Sequence, residues 1–416
     1  MPEDAPRCAL CGIRVTHWTD VAPGIDAATV DCRCPEHAGV SLGVTAGATS
    51  SPDPQLIKRL TAAFLRANEA ACYGDDSQWK TIRTMHDAVV TAVREGKTDE
   101  VASYIARPHE GYLHYGFDDL GVWSVDAYRR ESRRTWYAIH CYDLLLKLAR
   151  ALGVLRVPNP ECPSRDQEVP EIPTLLDHIE RTLGISIRPP DVYPFYYGLK
   201  TDRGVLSERV LNAIYCAWRI REITRAVARP RIVEIGAGLG RVADYCHRMG
   251  LTDYSIVDVP LTSLVQGHFL ASAVGKDRLV LDGELPRRDA IKIFTPERFF
   301  EAAHSQVDLV VNVDSLTEFG RDMATRYLRV VAKRASVLFS VNHEANEITV
   351  SDLCTDVGEF KAAQRSPYWM RPGYVEELFE PHRARRDARR GWLHRRLHRW
   401  SSLPSGPQVG VPAKFT

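Results

Sequence analysis

The sequence predicts an α/β protein: a Rossmann-like, mostly parallel sheet wound with helices, preceded by a mostly helical N-terminal domain and a small cysteine-rich N-terminal segment. Three observations carry this expectation. From Pro230 onward, short apolar runs alternate with amphipathic helical segments, as a parallel sheet with helical crossovers requires. A glycine run, Gly236-x-Gly238-x-Gly240, falls between the first of these strands and the first of these helices. Between residues 56 and 152, apolar residues recur instead at three- and four-residue spacings, the period of helices with one buried face.

In chain order, residues 1–45 form the cysteine-rich segment. Cys8-x2-Cys11 is followed after twenty residues by Cys32-x-Cys34-x2-His37, five soft ligands in a core-poor stretch. Two close pairs on turns are what a tetrahedral structural zinc site needs, and Cys8/Cys11 with Cys34/His37 or Cys32/Cys34 meets that requirement; free thiols on an unstructured segment are the alternative. Ten cysteines among 416 residues are too few for a disulfide scaffold, and with no secretory signal at Met1-Pro2-Glu3-Asp4 a reducing cytoplasmic location is expected. A Gly/Ser/Thr/Pro stretch over 43–54 reads as a linker.

Residues 52–156 read as a helical domain, with Leu56, Leu60, Phe64, Val89, Val90 and Val93 in one stripe and Tyr137, Cys141, Leu144, Leu145 and Leu148 in another. Tyr112, Tyr115, Phe117 and Trp123 suit a lid or a homo-oligomer surface. Five prolines between 157 and 173 break any regular element and mark a boundary, so a second domain is expected over 174–381. Its strands are expected at 231–235, 254–258, 278–281, 307–313 and 337–341, with helices at 241–249, 261–274, 296–303 and 323–333 between them. The tail, 382–416, carries eight arginines between Arg383 and Arg399 against one acid, Asp387, although the net charge of the whole chain is only +1. Trp392, Leu393, Leu397 and Trp400 lie among them at near-helical spacing, which suits either packing on the catalytic domain or peripheral contact with an anionic membrane surface.

In an open α/β sheet, ligands bind beyond the carboxyl ends of the strands, and the first strand-to-helix turn must let backbone approach the ligand. Dinucleotide folds space their glycines G-x-G-x-x-G to seat a pyrophosphate; here the run is G-x-G-x-G, with Glu234 two positions before it. A carboxylate there repels a pyrophosphate and suits the ammonium and sulfonium of S-adenosylmethionine. Asp258, ending the second strand, is placed to accept hydrogen bonds from ribose hydroxyls, and Asp282, ending the third, from the adenine amino group.

Four further blocks carry a family resemblance. The segment Asp253-Tyr254-Ser255-Ile256-Val257-Asp258-Val259-Pro260-Leu261-Thr262 resembles the Y-x-I-x-D-L-P stretch of a bacterial family of sugar O-methyltransferases, with valine at 259 where the family usually has leucine. Asn312-Val313-Asp314-Ser315-Leu316-Thr317-Glu318, Ser340-Val341-Asn342-His343-Glu344 and the block from Tyr368 to Glu377 resemble its fourth-strand, fifth-strand and closing motifs. The resemblance runs from about Thr174 to Pro381. It implies a class I methyltransferase fold and methylation of a hydroxyl on a sugar, glycosylated small molecule or glycolipid, with Asn312 among the residues at the cofactor.

A sugar hydroxyl needs a general base, and histidine's pKa lies near working pH. His343 is the expected base, with Asp314 or Glu318 orienting it or gripping sugar hydroxyls; the same two carboxylates are also candidates to hold a divalent ion. Methylation of a nucleic acid is the competing enzymatic reading, disfavoured because basic residues with interleaved aromatics are confined to the tail, so no nucleic-acid partner is expected. A non-catalytic binding protein on the same fold is the other alternative.

Overall fold

The computed structural model describes residues 40–382, apart from 49–51, 68, 116–117, 119–125, 127, 160, 162–167 and 302–305. The zinc candidates Cys8, Cys11, Cys32, Cys34 and His37, the arginine-rich tail beyond 382, Phe117 and Trp123 all lie outside these residues.

Two sheets organise the described chain. In the smaller, β1 (Leu42–Ala46), β2 (Pro194–Thr201) and β3 (Gly204–Leu206) pair antiparallel, with β2 in the middle. β1 falls where composition suggests a linker; its glycine and threonine content hides an edge strand whose pairing comes from a partner about 150 residues away. The larger sheet contains β4 (Ile232–Ile235), β5 (Tyr254–Val257), β6 (Leu279–Val280), β7 (Ile291–Phe294), β8 (Val307–Val313), β9 (Ala335–His343), β10 (Phe360–Pro367) and β11 (Tyr374–Pro381). Its strand order is β10-β11-β9-β8-β4-β5-β7-β6. The strands from β4 to β9 run parallel, and the β10–β11 hairpin closes one edge antiparallel. This is the Rossmann-like α/β sheet with helical crossovers that the apolar runs predict.

The central strands are apolar on both faces because helices cover both. Ile232, Val233, Glu234 and Ile235 of β4 are all buried. On one face Ile232 and Ile256 join a core with the Glu208–Thr224, Arg241–Arg248 and Pro260–Val274 helices. On the other, Val233, Ile235 and Leu338 pack against the Arg321–Arg334 and Val350–Val357 helices. The first core continues through Leu56, Leu60, Val90, Leu144 and Leu148 of the N-terminal helices, so residues on both sides of the proline-rich interval share one apolar interior. The Pro54–Arg66 helix shows the local logic: Asp53 caps it by accepting from the Gln55 amide, Pro54 occupies its first turn, and Leu56, Ile57, Leu60 and Phe64 form the buried stripe.

Chain order reverses at β4, which has β5 on one side and β8 on the other. That switch point is where an open α/β sheet leaves a crevice at the strand carboxyl ends. Among the described residues no helix is long and apolar enough to cross a membrane.

Candidate functional site

A cleft with about 1030 Å³ of empty space, open solvent at its mouth included, occupies this crevice. Its floor is the turn after β4. Gly236 has φ 70°, and a Cβ there would lie 2.3 Å from the Ser315 Oγ, so only glycine fits. Gly240, φ 82°, ends the turn as the residue preceding the Arg241–Arg248 helix. The Gly238 carbonyl accepts from the Gln266 side chain at 2.7 Å, which ties the turn to the Pro260–Val274 helix.

Two acids line the floor. Glu234 is 1% exposed, and its Oε2 accepts from the Tyr254 hydroxyl at 2.9 Å. Burial, helped by the nearby Asp258 and opposed by that hydrogen bond, pushes its pKa up to about 8. Asp258 accepts from the Ala237 amide at 3.0 Å, the Val259 amide at 2.9 Å and the Gln266 side chain at 3.2 Å. Burial still pushes it up to about 7 against those bonds. Neither acid has a cationic partner among the described residues, although burying an unpaired carboxylate is costly.

The opposite wall comes from the loop after β8. Asp314 sits at φ 56°, a left-handed conformation rare for a side chain other than glycine, which turns its carboxylate into the cleft. It accepts from the Tyr374 hydroxyl at 2.9 Å and from Arg371 at 3.3 Å. Arg371 also pairs with Glu208 at 3.2 Å, whose carboxyl burial would raise but which His140 and the nearby arginines hold down to about 2. One turn further on, Glu318 accepts from the Trp79 indole at 3.1 Å, so a residue of the helical N-terminal half covers the cleft. Burial and the adjacent Asp314 push Glu318 up to about 7, against the bonds from Trp79 and Gln78.

The structure gathers Glu234, Gly236, Gly238, Asp258, Asp314 and Glu318 around one cleft. His343, the last residue of β9, stands one layer back. Its Nε2 is 3.7 Å from Asp314 Oδ1, and its Nδ1 accepts from the Ala345 amide at 3.2 Å. His343 does not itself line the cleft, whereas Asp314 and Glu318 do.

Asn312 and Asp282 lie elsewhere. Asn312 is fully buried, and its side chain bridges the Ile235 carbonyl, Ser315 and Asn342, bracing β4 against β8 beneath the cleft rather than lining it. Asp282 follows β6, but the position beside β5 belongs to β7, a short run interrupted by Lys292 that the sequence reading passes over. Asp282 is thus displaced to the sheet edge, where it pairs with Arg298 at 3.2 Å. Among the described residues no three His, Cys, Asp or Glu side chains are grouped to hold a metal ion, so Asp314 and Glu318 have no third ligand beside them.

Trp79, Arg209, Asn212 and Arg241 line the cleft without having been singled out in the sequence. Only Arg241 carried a local signal, its place directly after the glycine run. Its guanidinium pairs with buried Asp118 and lies 5.0 Å over the Tyr196 ring, anchoring the N-terminal half to the glycine turn. Arg241→Ala removes the counter-charge of a buried carboxylate. The expected loss of stability is about 3–5 kcal/mol, read as a lower urea midpoint.

No protein-family model matches the chain, and no curated protein matches it. Among solved structures it is similar to the cyclase SpnF, with TM-score 0.33 and 10% identity over 42% of this chain and 83% of that one. The CcbJ methyltransferase from Streptomyces caelestis gives TM-score 0.32 and 12% identity over 41% and 89% of the two chains. The magnesium protoporphyrin IX methyltransferase ChlM from Synechocystis PCC 6803, with bound SAM, gives TM-score 0.30 and 14% identity over 42% and 77%.

Proposed function

We propose that this protein transfers a methyl group from S-adenosylmethionine to a hydroxyl of a sugar or glycosylated small molecule. The observation that carries the cofactor half is the pair of buried acids, Glu234 and Asp258, which face one cleft and are themselves paired with no cation among the described residues. A ligand with a sulfonium and an ammonium supplies the missing positive charge, and a pyrophosphate would meet two acids instead. The Gly236–Gly238 backbone leaves room for close approach at the same place.

The cofactor supplies an electrophilic methyl group for in-line attack by the acceptor oxygen. Glu234, once ionised, holds the positive end of the bound molecule, and Asp258 accepts from its hydroxyls while bracketing the turn at Ala237. On the acceptor side, Asp314 is fixed through Oδ2 by Tyr374 and Arg371, and its carboxylate lines the cleft where it would accept from hydroxyl groups. Glu318, with its pKa pushed up to about 7, would take the hydroxyl proton as the O–C bond forms and the sulfonium S–C bond breaks, with S-adenosylhomocysteine as the leaving group. With Nδ1 accepting from Ala345, the His343 ring turns Nε2 toward Asp314, 3.7 Å away, and acts as a positioning residue. The wall of carboxylates with the Trp79 ring beside them, together with the motif resemblance, supports a hydroxyl-rich ring as acceptor.

Titration calorimetry with S-adenosylmethionine and S-adenosylhomocysteine tests the cofactor. Micromolar binding to the wild type is expected. Asp258→Ala should weaken it by at least about tenfold, since a hydrogen bond to a charged group contributes about 1.5–3 kcal/mol. No binding by folded wild-type protein sinks the proposal.

A further inference from the structure

A second cavity opens between the start of the Pro54–Arg66 helix, the end of the Thr98–Ala106 helix and the Pro260–Val274 helix. It has about 800 Å³ of empty space, open solvent at its mouth included, and shares no lining residue with the cofactor cleft. Leu56, Ala106, Val192 and Ala271 give it apolar walls. Asp53 and Lys276 also line it, but they pair with each other at 2.8 Å, so the cavity presents no uncompensated charge. The Pro260–Val274 helix is a wall common to both spaces: Thr262 lines the cofactor cleft and His268 the second cavity.

His268 is the ring whose edge this cavity exposes. It is 7% exposed, and burial pushes its pKa down to about 4, so the ring is neutral at physiological pH. Nδ1 lies 2.9 Å from the Tyr193 hydroxyl. No protein group among the described residues hydrogen-bonds Nε2. The ring meets the buried Tyr193 hydroxyl through Nδ1 and leaves Nε2 open to the cavity side, where a leucine would leave that hydroxyl without the ring and give the cavity no polar group at this place.

We infer that this cavity is a second binding site, for a small neutral molecule with an apolar body and one hydroxyl or carbonyl group that hydrogen-bonds His268 Nε2. Neutrality follows from the closed Asp53–Lys276 pair, and a polar group on the ligand from the Nε2 that the ring leaves open to the cavity. An apolar body follows from the walls.

The test titrates the full chain with benzyl alcohol, and with toluene as the analogue lacking the hydroxyl. Binding is followed by histidine imidazole resonances and by saturation transfer to the ligand. A saturable shift is expected in one resonance, assigned to His268 by its absence from His268→Phe. Toluene, and benzyl alcohol on that variant, should bind at least about tenfold more weakly. Ala271→Leu fills the cavity and should abolish binding while cooperative unfolding remains. No saturable shift in the wild type means the cavity holds water only and overturns the inference. So does equal binding of toluene, or binding that survives both substitutions.

Discussion

Glu318→Gln should lower turnover by about 10²–10⁴-fold, the usual contribution of a general base, while S-adenosylmethionine affinity stays within a few-fold. The substitution is close to isosteric, and the amide oxygen still accepts from the Trp79 indole, so the cleft keeps its shape. What disappears is a proton acceptor with a pKa near 7. The wild-type pH profile has a corresponding signature. Glu318 is protonated below about 7 and ionised above it, so with S-adenosylmethionine saturating, kcat/KM for the acceptor should rise through that pH and flatten beyond it. In Glu318→Gln that rising limb should be missing. His343→Ala provides the contrast: as a positioning residue behind Asp314 it should cost less turnover and leave the limb in place. A profile that keeps its limb in Glu318→Gln and loses it in His343→Ala returns the role of base to the histidine.

What the sequence made legible is whatever lies close along the chain. Glu234, the glycine run and Asp258 occupy two neighbouring parallel strands and one turn, where the order of apolar runs and glycines specifies geometry directly. The carboxylates after β8 were legible for the same reason, since the loop that ends a parallel strand must open on the ligand side of the sheet. The remainder of the cleft depends on tertiary contact. Trp79 meets Glu318 across 239 residues, and Asp118 meets Arg241 across 123, and no periodicity in either segment encodes its partner. Strand order was invisible too. A two-residue strand at Leu279–Val280 and a four-residue strand at Ile291–Phe294 look alike as apolar runs, yet only the second pairs with β5, and that exchange places Asp282 outside the cleft. Residue chemistry alone likewise does not say which layer a side chain occupies: His343 lies behind Asp314, 3.7 Å away, and does not line the cleft.

Cofactor affinity should itself depend steeply on pH. In the free protein Glu234 is largely protonated at pH 7, because burial holds its pKa at about 8, and Tyr254, Asp258 and the buried thiols nearby add no positive charge. A cation bound beside it favours the carboxylate, so binding must expel a proton. Affinity for S-adenosylmethionine is then expected to rise by about tenfold per pH unit for each proton released, levelling off above about pH 8. Asp258, at about 7, contributes a second and earlier step if it also ionises on binding. Folding stability of the free protein slopes the other way. A carboxyl whose folded pKa exceeds its unfolded value of 4.5 stabilises fully below that value, and the contribution fades as pH rises through about 8. Calorimetry in buffers of different ionisation enthalpy counts the protons. Glu234→Gln should remove one of them and flatten the pH dependence, with its largest loss of affinity at high pH, where the wild-type carboxylate is easiest to form. S-adenosylhomocysteine, which lacks the sulfonium charge, should release fewer protons than the methyl donor. Affinity that is flat with pH in the wild type would mean that Glu234 stays protonated in the complex, and the positive end of the ligand would then have to lie elsewhere in the cleft.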